Sequence, residues 1–166
     1  QIEIWTDNGS GSFTKESTQP STTGSSPRDL VSGDWNCDGY LDLATANFSG
    51  NSLSLFYGQS GSAEFSKPKT ISVGKGPASI AFADFNDDNR MDFIIAHRFY
   101  FKTSSLSLLT GDIGILLSQS VDSNNHVVYA AETRFSSTLE IQGSPPADIH
   151  IRQVDSDSKL DLLLSL

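Results

Sequence analysis

Three segments of the chain keep the same markers in register, and that repetition limits what it can fold into more than any other feature. They are SSPRDLVSGDWNCDGYLDLATA (25–46), KGPASIAFADFNDDNRMDFIIA (75–96) and GSPPADIHIRQVDSDSKLDLLLS (143–165). In each, a proline (Pro27, Pro77, Pro146) stands seven residues before the first position of an acidic loop. An aspartate (Asp42, Asp92, Asp161) closes the loop at a constant offset. An aromatic residue (Phe13, Phe65, Phe135) lies upstream of each proline. The spacing is 50 residues from Asp34 to Asp84 and 69 from Asp84 to Gln153. The excess lies between Ala96 and Phe135, which predicts an insertion in one repeat, built as a longer hairpin or loop.

The strand reading is the same in each copy. The runs LDLATA, MDFIIA and LDLLLS after the loops are nearly continuous apolar stretches, as expected of strands covered on both faces. NSLSLFYG and GILLSQS then alternate with period two, and KTISVG and TLEIQG follow a Gly/Ser/Asn turn. No segment carries a helical stripe. The class is all-β, with about four short antiparallel strands per repeat.

The loops themselves point to a cation. In the first, Asp34, Asn36, Asp38 and Asp42 occupy positions 1, 3, 5 and 9, and position 7 offers the Tyr40 carbonyl. Alternate residues of a tight loop can face one ion, and hard oxygen donors at this density suit Ca²⁺. Gly39 at position 6 tolerates a positive φ at the bend. An EF-hand is excluded, because position 12 is Thr45 or Ile95 rather than Glu and the flanks read as strands. The second loop offers Asp84, Asn86, Asp88, the Arg90 carbonyl and Asp92, with Asn89 at the bend. The third offers Gln153, Asp155, Asp157, the Lys159 carbonyl and Asp161, with Ser158 at the bend. Gln153 puts a neutral group where the others have a carboxylate. Two Ca²⁺ sites and a weaker third are therefore expected, with a structural rather than catalytic role.

Composition narrows the rest. The chain has 166 residues, enough for one domain or part of one, and 37% of them are hydrophobic, enough for a core. No apolar run reaches the roughly 18–20 residues of a membrane span, and no signal peptide is visible. The chain begins at Gln1, which reads as processed, trimmed or excised from something longer. Twenty acidic against 11 basic residues, a net charge of −9, argue against binding nucleic acid through its phosphates. The single Cys37 cannot form an internal disulfide and occupies a non-ligand loop position, which suggests an outward thiol. Asn8-Gly9-Ser10 and Asn47-Phe48-Ser49 match the N-glycosylation acceptor pattern.

Together, the proline lead-in, the short strand, DWNCDGYLD or DFNDDNRMD, and DLATAN resemble FG-GAP/VCBS repeats. These are the calcium-binding blades of integrin α-chain propellers and of many secreted adhesion-type and lectin-type proteins. The resemblance covers nearly all the chain outside 97–134. It implies β-propeller-like blades of four antiparallel strands, with calcium in a hairpin loop of each blade. It divides one repeat domain, 1–166, into a C-terminal half-repeat (1–24), repeat 1 (25–74), repeat 2 with its insertion near 97–134 (75–142) and an N-terminal half-repeat (143–166). Propellers use 4–8 blades, and the chain carries about three repeats with complementary halves at its ends. Three readings stay open: a piece of a longer repeat array, a closed ring of copies, or a head-to-tail fibre.

No nucleophile elbow, zincin helix motif or phosphate-binding glycine loop is present. His97, His126 and His150 have no ligand-set or triad spacing, and His150, alternating with Ile149 and Ile151, is expected at solvent or at an interface between blades. Trp5 and Trp35 are expected to pack rather than to stack on a sugar. The expected function is a non-enzymatic, extracellular or cell-surface calcium-binding module. Its role is structural or adhesive, and it associates with itself or with further repeats. The alternative is a carbohydrate-binding lectin-like propeller module. A lectin should repeat an aromatic in each blade, whereas Trp35 becomes Phe85 and then Val154. A protein or glycan ligand is compatible with either.

Overall fold

The computed structural model describes residues 2–17, 23–60, 64–102, 107–135, 146–154, 157 and 159–165. Every strand pairing among them is antiparallel, and no helix occurs. A hairpin of β1 (Trp5–Asp7) and β2 (Phe13–Lys15) precedes a four-stranded meander. That sheet runs in the order β3 (Pro27–Gly33), β4 (Asp42–Asn47), β5 (Ser52–Phe56), β6 (Lys69–Ser72). The second four-stranded sheet contains β7 (Pro77–Ala83), β8 (Asp92–Lys102), β9 (Ser107–Leu116) and β12 (Thr133–Phe135), also in sequential order. Between its third and fourth strands lies a separate hairpin, β10 (Ser118–Val121) and β11 (Val127–Tyr129). A last hairpin pairs β13 (Asp148–Arg152) with β14 (Asp161–Ser165).

The sequence markers have physical roles here. Pro27 and Pro77 are the first residues of edge strands, each beside a register shift, against Asn47 and His97 respectively. Proline cannot donate to a ladder and is confined to such positions. The acidic loops join β3 to β4, β7 to β8 and β13 to β14, and in each pair the residue before the loop faces its final aspartate: Gly33↔Asp42, Ala83↔Asp92, Arg152↔Asp161. The upstream aromatics share no role. Phe13 and Phe135 are exposed strand residues, while Phe65 is half-buried and bridges to Gly58.

The sheets stack face to face with two apolar layers between them, and a third apolar cluster forms where Ile2, ahead of β1, packs on the first four-stranded sheet. Ile2 meets Leu43 and Phe56, with Phe65 packed against them. Between the two four-stranded sheets, Trp35, Ala44, Ala46, Leu53 and Leu55 meet Ile80, Phe93, Ile95 and Leu116. Beyond the second sheet, Ile94, Ala96 and Ile113 meet Ile149. Every residue of β4 is buried, as its nearly unbroken apolar run predicts, and so is every residue of β5, whose period-two alternation does not predict buried serines at Ser52 and Ser54. Each large side chain so buried contributes roughly 1.5–3 kcal/mol.

β14 departs from that expectation. Leu162 and Leu163 stay 37% and 43% exposed, whereas their counterparts in β4, Leu43 and Ala44, are 8% and 0% exposed. Among the described residues no sheet covers the far side of β13–β14. Trp5 likewise is half-exposed and not a packing residue, whereas Trp35 is buried edge-on against Phe82. The extra length of the second sheet lies largely in the β8–β9 hairpin, which runs on past His97, where the first sheet turns at Asn47 through Phe48–Asn51. TLEIQG, read as a strand, lies outside the described residues, and the fourth strand of this sheet is Thr133–Phe135.

Candidate metal centre

Each acidic loop leaves one strand and returns along the next, so its ends are fixed by the β-ladder. Inside the first loop the Asp38 N–H is shared between Asp34 Oδ1 at 3.1 Å and Asn36 Oδ1 at 3.3 Å. Gly39 N–H donates to Asp34 Oδ2 (2.9 Å) and Tyr40 N–H to Asp38 Oδ1 (2.9 Å). Asn36 Nδ2 donates to Asp38 Oδ2 (2.8 Å). The second loop repeats this network. Asp88 N–H reaches Asp84 Oδ1 (3.0 Å) and Asn86 Oδ1 (3.1 Å), Asn89 N–H reaches Asp84 Oδ2 (2.6 Å), and Arg90 N–H reaches Asp88 Oδ1 (2.9 Å). Two loops of different sequence thus place positions 1, 3 and 5 alike. In the third, Asp157 Oδ1 accepts from Lys159 N–H (2.8 Å). Gln153 there is exposed, and Asp155 and Ser158 lie outside the described residues.

The bend residues behave as read: Gly39 has φ 87° and Asn89 φ 63°. The sequence did not reveal a second left-handed residue in each loop, Cys37 at φ 59° and Asp87 at φ 58°. Asp87 is a residue type enriched there; cysteine is not. The Cys37 thiol is exposed, as expected.

Position 9 has a task of its own. Asp42 is fully buried and accepts from Trp35 N–H (2.9 Å) and Gly58 N–H (2.8 Å). Asp92 is buried likewise, accepting from Phe85 N–H (3.1 Å) and Ser118 N–H (2.7 Å). Asp161 keeps the first of these bonds, from Val154 N–H (2.7 Å). In the two complete sheets this carboxylate ties the loop to the chain leaving the third strand. Burial pushes the Asp42 carboxyl up to about 6; the two N–H donors pull it down, and the like charges of Asp38 and Asp34 push it up again.

Among the described residues, no three carboxylate, imidazole or thiol groups converge as a ready-made metal cage. The donor set nevertheless fits a hard cation. Every side-chain donor is oxygen, Asp34 Oδ1 and Asn36 Oδ1 already converge on one N–H, and the loop's carboxylates repel one another. The residues that would hold Ca²⁺ are Asp34, Asn36, Asp38 and the Tyr40 carbonyl, and their counterparts Asp84, Asn86, Asp88 and Arg90, with Asp42 and Asp92 beneath. The second loop already carries a partial counter-charge, since Arg90 Nη1 lies 3.6 Å from Asp88 Oδ2.

The remaining sequence candidates separate cleanly. Asn8 is exposed at the β1–β2 turn, where its Oδ1 accepts from Ser10 N–H and Oγ (2.9 and 2.6 Å). Asn47 is not a glycan acceptor in this fold: it is fully buried, and its Nδ2 donates to Ser52 Oγ and Ser54 Oγ (3.3 and 2.9 Å). His150 is solvent-exposed beside Asp148, and His97 is buried against Glu132 (2.5 Å). His126 stacks on Tyr57 with ring centroids 4.2 Å apart. The sequence also did not single out Asn125, at the tip of the β10–β11 hairpin, which touches the first loop.

No helix among the described residues is long and apolar enough to cross a membrane. The family model for the FG-GAP-like repeat matches residues 1–45 and 38–95. No match was found among curated proteins or among solved structures. The two matched segments take in both complete acidic loops and stop short of the degenerate third, in line with the paired geometry above, and on that match the chain belongs to the FG-GAP-like repeat family.

Proposed function

We propose that the chain is a non-enzymatic, extracellular calcium-binding module of β-propeller type with a structural or adhesive role. One observation carries the reading: the loops at 34–42 and 84–92 hold the same residue types at positions 1, 3, 5 and 9 in the same hydrogen-bonded geometry, with the corresponding bonds from backbone N–H to loop side chains differing in length by at most 0.3 Å. Acidic turns that merely face solvent have no reason to keep that match. A cation would neutralise carboxylates held close together, and binding only the folded loop would stabilise the fold by mass action. Asn8 is the glycan acceptor in this reading. The face-to-face stack of four-stranded meanders supports the propeller geometry. The β13–β14 pair reproduces the register of β3–β4 and β7–β8, so it serves as the first half of a sheet completed by further repeats or by another copy.

The test is molar mass by light scattering and melting temperature, each in millimolar Ca²⁺ and in chelator. A discrete multiple or a polymer that collapses in chelator supports calcium-braced sheets completed between copies. A monomer that melts lower in chelator keeps the metal and assigns completion to further repeats. A monomer whose mass and melting ignore chelator overturns both parts.

A further inference from the structure

One contact sets the first loop apart from the second: a backbone carbonyl of the other repeat meets its position-3 asparagine. Asn36 Nδ2 makes two bonds, one to Asp38 Oδ2 within the loop and one, at 2.9 Å, to the backbone carbonyl of Asn125 on the β10–β11 hairpin. A carbonyl only accepts, so this bond settles which end of the Asn36 amide faces it. Nitrogen points to the hairpin, and oxygen points into the loop, where it meets the Asp38 N–H beside Asp34 Oδ1. Asn125 Nδ2 also approaches Asp38 Oδ2 at 3.5 Å. Asn86, the counterpart of Asn36, bonds through its Nδ2 to Asp88 Oδ2 at 3.2 Å, inside its own loop.

The Asn125 carbonyl is held in place from both sides. Within the hairpin, Asp122 Oδ1 accepts from Asn124 N–H (2.9 Å) and His126 N–H (3.0 Å), and Asn125 takes φ 60°. From the first sheet, Lys69 Nζ reaches Asp122 Oδ2 (3.3 Å) and the Val127 carbonyl (3.1 Å). The Tyr57 hydroxyl accepts from Val127 N–H (2.9 Å), and its ring stacks on His126. The hairpin belongs to the second repeat, yet its tip is fastened to the first.

We propose that this hairpin tip, through the Asn125 carbonyl, positions Asn36 for cation binding, so that the second repeat sets the affinity of the first loop. The inference rests on the calcium reading above. Groups that orient a metal ligand through its other polar atom commonly change affinity by roughly 10–100-fold when removed. The same hairpin meets the second loop elsewhere, through the Gln119 carbonyl on Arg90 Nη1 (2.7 Å) and the Ser118 N–H on Asp92 Oδ1 (2.7 Å), and neither bond reaches the position-3 asparagine, Asn86.

The test is calorimetric Ca²⁺ titration of the whole chain in two backgrounds, both carrying Asp157→Asn to silence the third loop. One also carries Asp84→Asn and Asp88→Asn, leaving the first loop; the other carries Asp34→Asn and Asp38→Asn, leaving the second. Asp122→Ala, which releases the hairpin turn, should weaken Ca²⁺ binding about tenfold at the first loop and leave the second unchanged. Asp122→Asn, which keeps an acceptor for the turn, should restore most of the loss. Lys69→Met, which cuts the anchor from the other side, should act in the same direction as Asp122→Ala. Ca²⁺ should also slow hydrogen exchange at the Asn125 and His126 amides. An unchanged first-loop affinity in both Asp122→Ala and Lys69→Met overturns the inference alone, as does an equal loss at both loops, which would mark general destabilisation. A wild-type chain that binds no Ca²⁺ overturns the calcium reading and this inference with it.

Discussion

Asp42 and Asp92 show how one residue type can serve two ends of a loop. Each buries a carboxylate between two backbone N–H groups, and each lies under a loop of further carboxylates. Asp42→Ala leaves the Trp35 and Gly58 N–H groups buried without acceptors, at about 1–3 kcal/mol per unsatisfied group. A loss of about 3 kcal/mol in urea unfolding, measured in chelator so that no metal contributes, is the expected outcome. Cys37 offers a change of opposite sign. Its φ of 59° costs an ordinary side chain roughly 1–2 kcal/mol, which asparagine bears better. Cys37→Asn should therefore raise stability by about 1 kcal/mol, seen as a rise of about 2–4 °C in melting temperature. Both aspartates were legible as loop-closing residues from their constant offset. Their second partners, Gly58 and Ser118, were not, because they lie 16 and 26 residues away and meet the aspartates only through the ladder.

At the scale of the element, strands of like sequence end in unlike surroundings. DLATAN in β4 is buried throughout, while DLLLS in β14 is largely open. Leu53→Ala in β5, fully buried between the two sheets, should cost about 2–5 kcal/mol. Leu163→Ala in β14 should cost well under that in the isolated chain, since its side chain already meets water; paired denaturation curves compare the two. The apolar run alone marks a strand fit to be covered on both faces. Whether a second face is covered depends on what packs against it. The insertion was legible as extra spacing after Ala96, but not its division between a longer β8–β9 hairpin and the separate β10–β11 hairpin. Turn residues show where a chain reverses, not how far a ladder continues before it does.

The molecule as a whole is held by the apolar layers between sheets and by polar ties at the connections. The segment that leads from the first four-stranded sheet to the second is fastened by Glu132, which accepts from Gly74 N–H at 2.6 Å while pairing with His97. Burial pushes the Glu132 carboxyl up, but the His97 bond and charge, the Gly74 N–H and Arg134 outweigh it and hold it below the ordinary 4.5. Ionised Glu132 therefore stabilises the fold at pH above that ordinary value, and the contribution disappears as pH falls from there through the lowered folded-state value. Unfolding free energies of wild type and Glu132→Gln should differ most near neutrality and converge on acidification toward pH 3. An unvarying difference across that range would remove the linkage.

By itself the sequence determined the all-β class, the repeat, the proline that leads into each repeat, the position of each acidic loop and the bend at Gly39 or Asn89. All of these follow from local chemistry: side-chain period, the missing N–H of proline, the φ range of glycine and asparagine, and oxygen donors at alternate positions. Only the tertiary structure decided that Asn47 is buried, that Asp42 and Asp92 each span two segments, that β14 keeps an open face, and that the second repeat reaches the first loop through Asn125. Those outcomes depend on which distant segments share a layer, and spacing along one chain does not encode that until the sheets are stacked.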